Sequence, residues 1–286
     1  MDVRSEARWT EVAERHDRAV HHLESVALGD TLEITIVPPP ADLPVAATAP
    51  ALYVLDPFLT LDTVAGWSRV YGRYSEGVLP PAVVVGVGHP GNDERQFMAR
   101  RIRDLTPTPV TGREWKPPLG AGQGPKLLDA LAHEIVPFVE ARHPTGGDRT
   151  VIGWSLGGLF VLTALFRRPG LFARYLAVSP SLWWENGLPL VWEKEWAAAH
   201  DDLAARVFLA VGSREQAPGG GWKSEGFSDE IIAWFRQVSN FRTFTRRLKE
   251  RHYPSLRLDS HVFRDEYHMT VYPAAVARGL VKLFEQ

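Results

Sequence analysis

The sequence predicts an α/β fold: a mostly parallel central sheet with helices on both faces. Two observations carry this. Short continuous apolar runs, the signature of strands covered on both faces, recur along the chain and alternate with segments of helical period. One of them, Thr150-Val151-Ile152-Gly153-Trp154, runs into a serine bracketed by glycines and continues at once as the helical pattern from Leu156 to Arg168. At 286 residues and 45% hydrophobic the chain can bury a large core, and α/β folds of this length are often one domain. The expected division is a polar arm or helix over 1–28, then a single α/β domain over 29–286.

Taken in order, residues 1–20 are polar, and their few apolar residues (Trp9, Val12, Ala13, Val20) recur loosely at helical spacing. Thr31 to Val37 alternates and stops at Pro38-Pro39-Pro40, which predicts an edge strand. Ala51 to Leu55 and Ala82 to Val87 read as central strands, with a helix between them from Leu59 to Tyr74. The stretch from Gly88 to Gly122, rich in Pro, Gly and charge, reads as a long irregular segment, and a loop of that length is usually functional. A helix from Leu127 to Arg142 leads to the serine strand. Beyond it come strands at Tyr175 to Ser179 and Val207 to Val211, a charged helix from Asp229 to Arg251, a strand from Leu256 to Phe263 and a closing helix from Tyr272 to Phe284. In such sheets sites gather at the carboxyl ends of the strands.

Composition narrows the function. Lys plus Arg number 32 against 34 Asp plus Glu, so no basic excess is available to hold nucleic acid. Cysteine is absent, which excludes disulfides, thiolate catalysis and cysteine-bound metal. The charged N-terminus and the lack of any apolar run of membrane-spanning length lead to the expectation of a soluble, cytoplasmic protein. Nothing in the pattern fixes an oligomeric state.

The chemistry starts at Ser155. A strand that turns directly into a helix leaves the turn residue at positive φ with its side chain clear of the sheet, and Gly153 and Gly157 fit the positions where a Cβ would clash. A serine hydroxyl is a poor nucleophile at neutral pH, so it needs a base within hydrogen-bond reach and donors for the oxyanion. Of the later histidines, His200, His252 and His261 fall in helix, helix-end and strand patterns. His268 follows the last strand and precedes the final helix, where a loop can bring an imidazole to the serine. The orienting acid is expected after the strand ending at Val211, which makes Glu215 the first candidate and Glu225 and Asp229 alternatives. One oxyanion donor is the Leu156 amide at the helix N-terminus. The second is expected from Asp56-Pro57-Phe58, where proline has no N–H, so Phe58 is the candidate and Asp56 a turn-former.

Two further groups are candidate substrate contacts. Trp183 and Trp184 follow a central strand directly and suit the wall of an acyl or aryl pocket. Arg95, Arg100, Arg101 and Arg103, with His89, lie in the long irregular stretch, where guanidinium groups suit an anionic substrate. Arg101 and Arg103 are the expected contacts.

With these residues in place the sequence resembles the esterase D and enterochelin esterase-like group of the α/β-hydrolase superfamily. The likeness runs over most of the chain: His21-His22-Leu23, Leu52 to Asp56, Arg103-Asp104-Leu105-Thr106-Pro107, the serine turn, Ser179-Pro180-Ser181-Leu182-Trp183-Trp184, Val211-Gly212 to Glu215-Gln216, and His268 before Val271 to Ala275. The resemblance implies the α/β-hydrolase fold and serine ester hydrolysis with Ser155 and His268 as the working pair; some members of the group rely on that pair without an acid. The group usually has glycine where Pro57 stands, a small residue before the histidine, where Tyr267 stands, and serine after it, where Met269 stands. Siderophore hydrolysis is one activity of the group, and the arginine cluster suits a catecholate or ferric siderophore anion.

The expectation is therefore a serine carboxylic-ester hydrolase working through an acyl-enzyme on a small-molecule ester, with no metal or organic cofactor in its chemistry. Two alternatives stay open at this point: a non-catalytic binding module that keeps the fold, and an acyltransferase using the same serine.

Overall fold

The structure is a computed structural model. It describes residues 8–15, 17–43, 49–75, 78–91, 93–111, 117–217 and 228–285, with residues 12–15 as backbone only, so the alternative acid Glu225 lies outside the described residues. The chain forms two compact units, Met1–Arg149 and Thr150–Gln286.

In the first unit five strands pair in the order β1-β2-β3-β5-β4, with β1 at Arg8–Arg15, β2 at Arg18–Ser25, β3 at Asp30–Val37, β4 at Ala51–Leu55 and β5 at Val83–Gly88. β4 and β5 run parallel, whereas β1, β2 and β3 add on in antiparallel register. Residues 8–25 are thus two strands and not the polar arm or helix expected there, and β3 is flanked on both sides instead of forming an edge. The period of two is present in β2, but its inward positions are His21, Leu23 and Ser25, so polar residues mask it. His21 lies edge-on to Phe138, and Trp9 stacks on that ring at 3.5 Å.

Helix α1, Pro57–Tyr74, packs on β4 and β5 through Leu61, Val64 and Ala65. The stretch expected to be irregular contains a helix, α2, at Glu94–Leu105. Its N-cap is Asp93, whose carboxylate accepts the Gln96 amide at 2.8 Å, but its buried face carries Arg101 and Asp104 among Ala99 and Leu105. Charges on the inward face suppress the amphipathic signal by which a helix is recognised. The segment before the serine strand is helical, as α3 at Gly124–Ala130, a π-helical turn at Leu131–Ile135 and α4 at Val136–Glu140.

In the second unit β6 (Arg149–Trp154), β7 (Arg174–Val178), β8 (Ala205–Gly212) and β9 (Leu256–Phe263) form a parallel run in chain order, as their apolar runs predict. Helix α5, Leu156–Arg167, is buried from Leu156 through Phe166, in keeping with a helix that is apolar on every side. α6 spans Leu188–Ala199. The charged segment after it divides at Arg236, φ 46°, into α7 at Asp229–Phe235 and α8 at Gln237–Glu250. The closing helix α9, Val271–Phe284, lies on β7 and β8 so closely that a Cβ at Gly279 would come within 2.7 Å of Leu176 and 2.8 Å of Phe208. Burying side chains such as Leu176, Phe208 and Leu280 contributes about 1.5–3 kcal/mol each. The architecture is the α/β one the sequence predicts, mixed and mostly parallel and flanked by helices. Among the described residues no helix is long and apolar enough to cross a membrane.

Candidate active site

Ser155 sits between β6 and α5 with φ 60° and ψ −115°, a backbone conformation that a side-chain-bearing residue adopts only when its surroundings impose it. Those surroundings are visible. Its N–H donates to the Val178 carbonyl at 2.9 Å, and its carbonyl accepts the Ser181 N–H at 3.1 Å, so the bend is tied to the end of β7 on both sides. A Cβ at Gly153 would overlap the Gly157 backbone, and one at Gly158 would lie 2.9 Å from Pro180 Cα. The glycines are there because strand and helix meet without room for a side chain. Ser155 is 8% exposed.

His268 lies in the turn between β9 and α9, buried, with Glu215 beside it. Its Nδ1 donates to Glu215 Oε2 at 2.7 Å. The other carboxylate oxygen, Oε1, accepts the Gly212 N–H at 2.6 Å and the Ser179 hydroxyl at 2.6 Å. A carboxylate oxygen only accepts when ionised, so Nδ1 carries the proton, and in the neutral ring the lone pair is on Nε2. That is the tautomer a general base needs. The turn is anchored next to Ser155: the Trp154 indole donates to the His268 carbonyl at 3.1 Å, and the two rings are 4.9 Å apart.

The loops that carry Glu215 and His268 are stapled together by their backbones. Ser213 N–H donates to Phe263 at 2.8 Å and Arg214 N–H to Glu266 at 3.0 Å, while a Cβ at Gly212 would overlap the Glu266 carbonyl. Arg214 pairs with Asp265 at 2.9 Å and reaches the Tyr267 hydroxyl at 3.0 Å. Thr270 accepts the Tyr267 N–H at 3.0 Å and donates to Glu266. Tyr267, which departs from the group's usual pattern, and Thr270 are thus both used to close this turn.

The Leu156 amide is in the first turn of α5, where α-helix geometry provides no intrahelical acceptor. In the first unit Phe58 occupies the equivalent kind of position in α1, after Asp56 (φ 55°, ψ 50°) and Pro57. Proline suits the first helical position, and its ring fits because Gly86 and Gly88 of β5 carry no Cβ: one at Gly88 would be 2.7 Å from Pro57 Cγ. The Phe58 side chain is 55% exposed and meets Phe97 at 5.3 Å. Asp56 takes the turn conformation, but its carboxylate pairs with Arg101 at 2.9 Å; burial pushes this carboxyl up, opposed by the guanidinium.

The other expected residues fall differently. Arg101 is buried in that pair. Arg103 is held by Asp104 at 2.6 Å and Asp30 at 2.7 Å, with the Asp104 hydrogen bond keeping its guanidinium firmly protonated. His89 joins them, with Nδ1 2.9 Å from the Thr31 carbonyl oxygen and Nε2 2.6 Å from an Asp104 carboxylate oxygen. These side chains are paired with one another. Arg95 is exposed, and Arg100 donates to the Pro90 carbonyl at 3.1 Å on the wall of a cavity of about 250 Å³ that Phe58, Phe97 and His89 also line. Trp184 is core, while Trp183 is half-buried and stacks on Phe235 at 4.2 Å. Asp229 begins α7 and does not take the histidine proton. His200 is exposed and stacks on Trp196, His252 is exposed at the end of α8, and His261 lies in β9. Ser179 and Trp154 enter the site without any sequence signal for their roles.

The chain has recognisable relatives. Residues 25–252 match the family described as "Putative esterase". The chain is similar to the ferri-bacillibactin esterase BesA of Bacillus subtilis, 31% identical over 256 residues, 85% of this chain and 79% of that protein. It is similar to the siderophore triacetylfusarinine C esterase of Aspergillus fumigatus, 31% identical over 250 residues, 82% of each chain. Among solved structures it superposes on the siderophore hydrolase EstA from Aspergillus nidulans with a TM-score of 0.74 and 25% identity, covering 96% of this chain and 92% of that one. The chain belongs to this esterase family and is a serine-hydrolase-type esterase acting on small ester substrates.

Proposed function

We propose that Ser155, His268 and Glu215 are the catalytic triad and that the substrates are esters of siderophore type. The buried Glu215–His268 hydrogen bond, anchored through Trp154 to the residue preceding Ser155, is the observation that carries the first part. The relatives' activities as siderophore esterases support the second.

In this mechanism the Ser155 hydroxyl oxygen attacks the ester carbonyl carbon while His268 Nε2 takes its proton. Glu215 holds the ring and stabilises the imidazolium. The tetrahedral oxyanion is held by the Leu156 amide, and the Phe58 amide is the second donor that the sequence predicts. Collapse breaks the bond to the alkoxide, which leaves with the proton from His268. Water then attacks the acyl-enzyme with His268 again as base, releasing the acid and restoring the serine. Trp183, with its stacked partner Phe235, is the proposed aromatic wall for the acyl group, and Arg100 the proposed contact for an anionic one.

The test is hydrolysis of p-nitrophenyl esters and of a trilactone siderophore, iron-free and iron-loaded, by the full chain and by Ser155→Ala. Turnover of the trilactone that disappears in the variant supports the reading. Rapid turnover of simple esters with an intact trilactone would remove the siderophore part, and unchanged turnover in Ser155→Ala would remove the triad.

A further inference from the structure

We infer that Ser179 is a positioning residue that sets the orientation and charge distribution of the Glu215 carboxylate and, through it, the His268 ring. The inference rests on the triad proposed above. Ser179 is fully buried at the carboxyl end of β7. It has φ 45°, a conformation that favours glycine, and it precedes Pro180, which restricts its backbone further. Strain of this kind persists only where the surroundings over-determine it, and it concentrates at functional sites. Two bonds over-determine it here: the N–H donates to Ala210 at 2.7 Å and the hydroxyl to Glu215 Oε1 at 2.6 Å.

Glycine would satisfy the backbone better, so the hydroxyl is the reason for a serine. Glu215 is cut off from solvent and has two oxygens to satisfy. Oε2 takes the His268 proton, and Oε1 is held from one side by the Gly212 amide and from the other by Ser179. The Ser179 hydroxyl adds a second donor on Oε1 to the Gly212 amide and the His268 bond on Oε2, and so narrows the rotation of the carboxylate about the Cγ–Cδ bond. The two donors also draw charge towards Oε1 and so set how strongly Oε2 holds the imidazolium. The charged groups of the adjoining loop are occupied with one another, Arg214 with Asp265 and Glu266 with Thr270.

Comparing Ser179→Gly with Ser179→Ala in the full chain separates hydroxyl from backbone, because both remove the donor and only glycine accepts φ 45° without strain. We expect both to lose about tenfold in kcat on a p-nitrophenyl ester with KM little changed, the loss of a hydrogen bond to a charged group. The acid limb of the kcat/KM profile moves to higher pH in both, since a carboxylate with one donor fewer holds the His268 proton more tightly. Recovery of wild-type kcat in Ser179→Gly alone, or a rate loss with an unmoved limb, would make Ser179 a packing residue and overturn the inference. Ser155→Ala is measured alongside: turnover surviving there would overturn the underlying triad and not the Ser179 contact as such.

Discussion

His268 Nδ1 lies 2.7 Å from Glu215 Oε2, with side chains 1% and 0% exposed. At that burial the bond is unscreened, and the imidazolium formed during proton transfer has a fixed counter-charge. Glu215→Gln keeps the shape but lets an amide N–H₂ face Nδ1, which favours the tautomer with the proton on Nε2. We expect kcat to fall by about 10²–10⁴-fold with a folded protein and a similar KM, measured by steady-state kinetics.

The proposed second oxyanion donor is testable with two variants that lose the same side-chain contact with Phe97. Phe58→Pro deletes one amide hydrogen at a helix position where proline is tolerated, whereas Phe58→Ala keeps it. The expected result is a loss of about 10²–10³ in kcat for the proline variant only. Equal rates in the two variants would remove Phe58 from the oxyanion site.

Gly153→Ala places a methyl group in the Gly157 backbone. The strand and helix must part to admit it, at a cost of about 1–3 kcal/mol by analogy with overpacked cores. Urea unfolding should show that loss, and activity should fall further than stability because the same shift displaces Ser155.

Arg101 and Asp56 predict a pH signature. Arg101→Met leaves a buried carboxyl without its cation, and breaking such a pair costs about 3–5 kcal/mol. Burial already pushes Asp56 up, and removing the guanidinium pushes it further. The folded state then binds the proton more tightly than the unfolded one, so stability falls as pH rises past the unfolded carboxylate value. The deficit of the variant against wild type should therefore be small in acid and grow towards neutrality, as followed by denaturant unfolding at several pH values. Asp56→Asn in the same background should recover part of it.

These sites differ in how far the sequence discloses them. Ser155, its glycines and His268 are legible because a strand–turn–helix and a loop between the last strand and last helix are local patterns, read from adjacent residues. The strands from β4 to β8 are legible for the same reason, as apolar runs. β1 and β2 are not, because His21 and Ser25 stand where an inward apolar residue would signal a strand. α2 is hidden by Arg101 and Asp104 on its buried face, although Asp93 and Gln96 do mark its start. The ion pairs that occupy Arg101 and Arg103 involve Asp56 and Asp30, far away in the chain, and partner choice over such distances leaves no local pattern. Ser179 is invisible in the same way: only the folded structure brings it to Glu215.

The central claim is that Ser155 is the activated nucleophile, and covalent trapping tests it most directly. The full chain is incubated with a fluorophosphonate, digested and mapped by mass spectrometry, beside Ser155→Ala. The account predicts one adduct, on the peptide containing Ser155, with loss of ester turnover in step with labelling and no adduct in the variant. Folded protein that hydrolyses esters yet stays unlabelled, or is labelled at another residue, would contradict it.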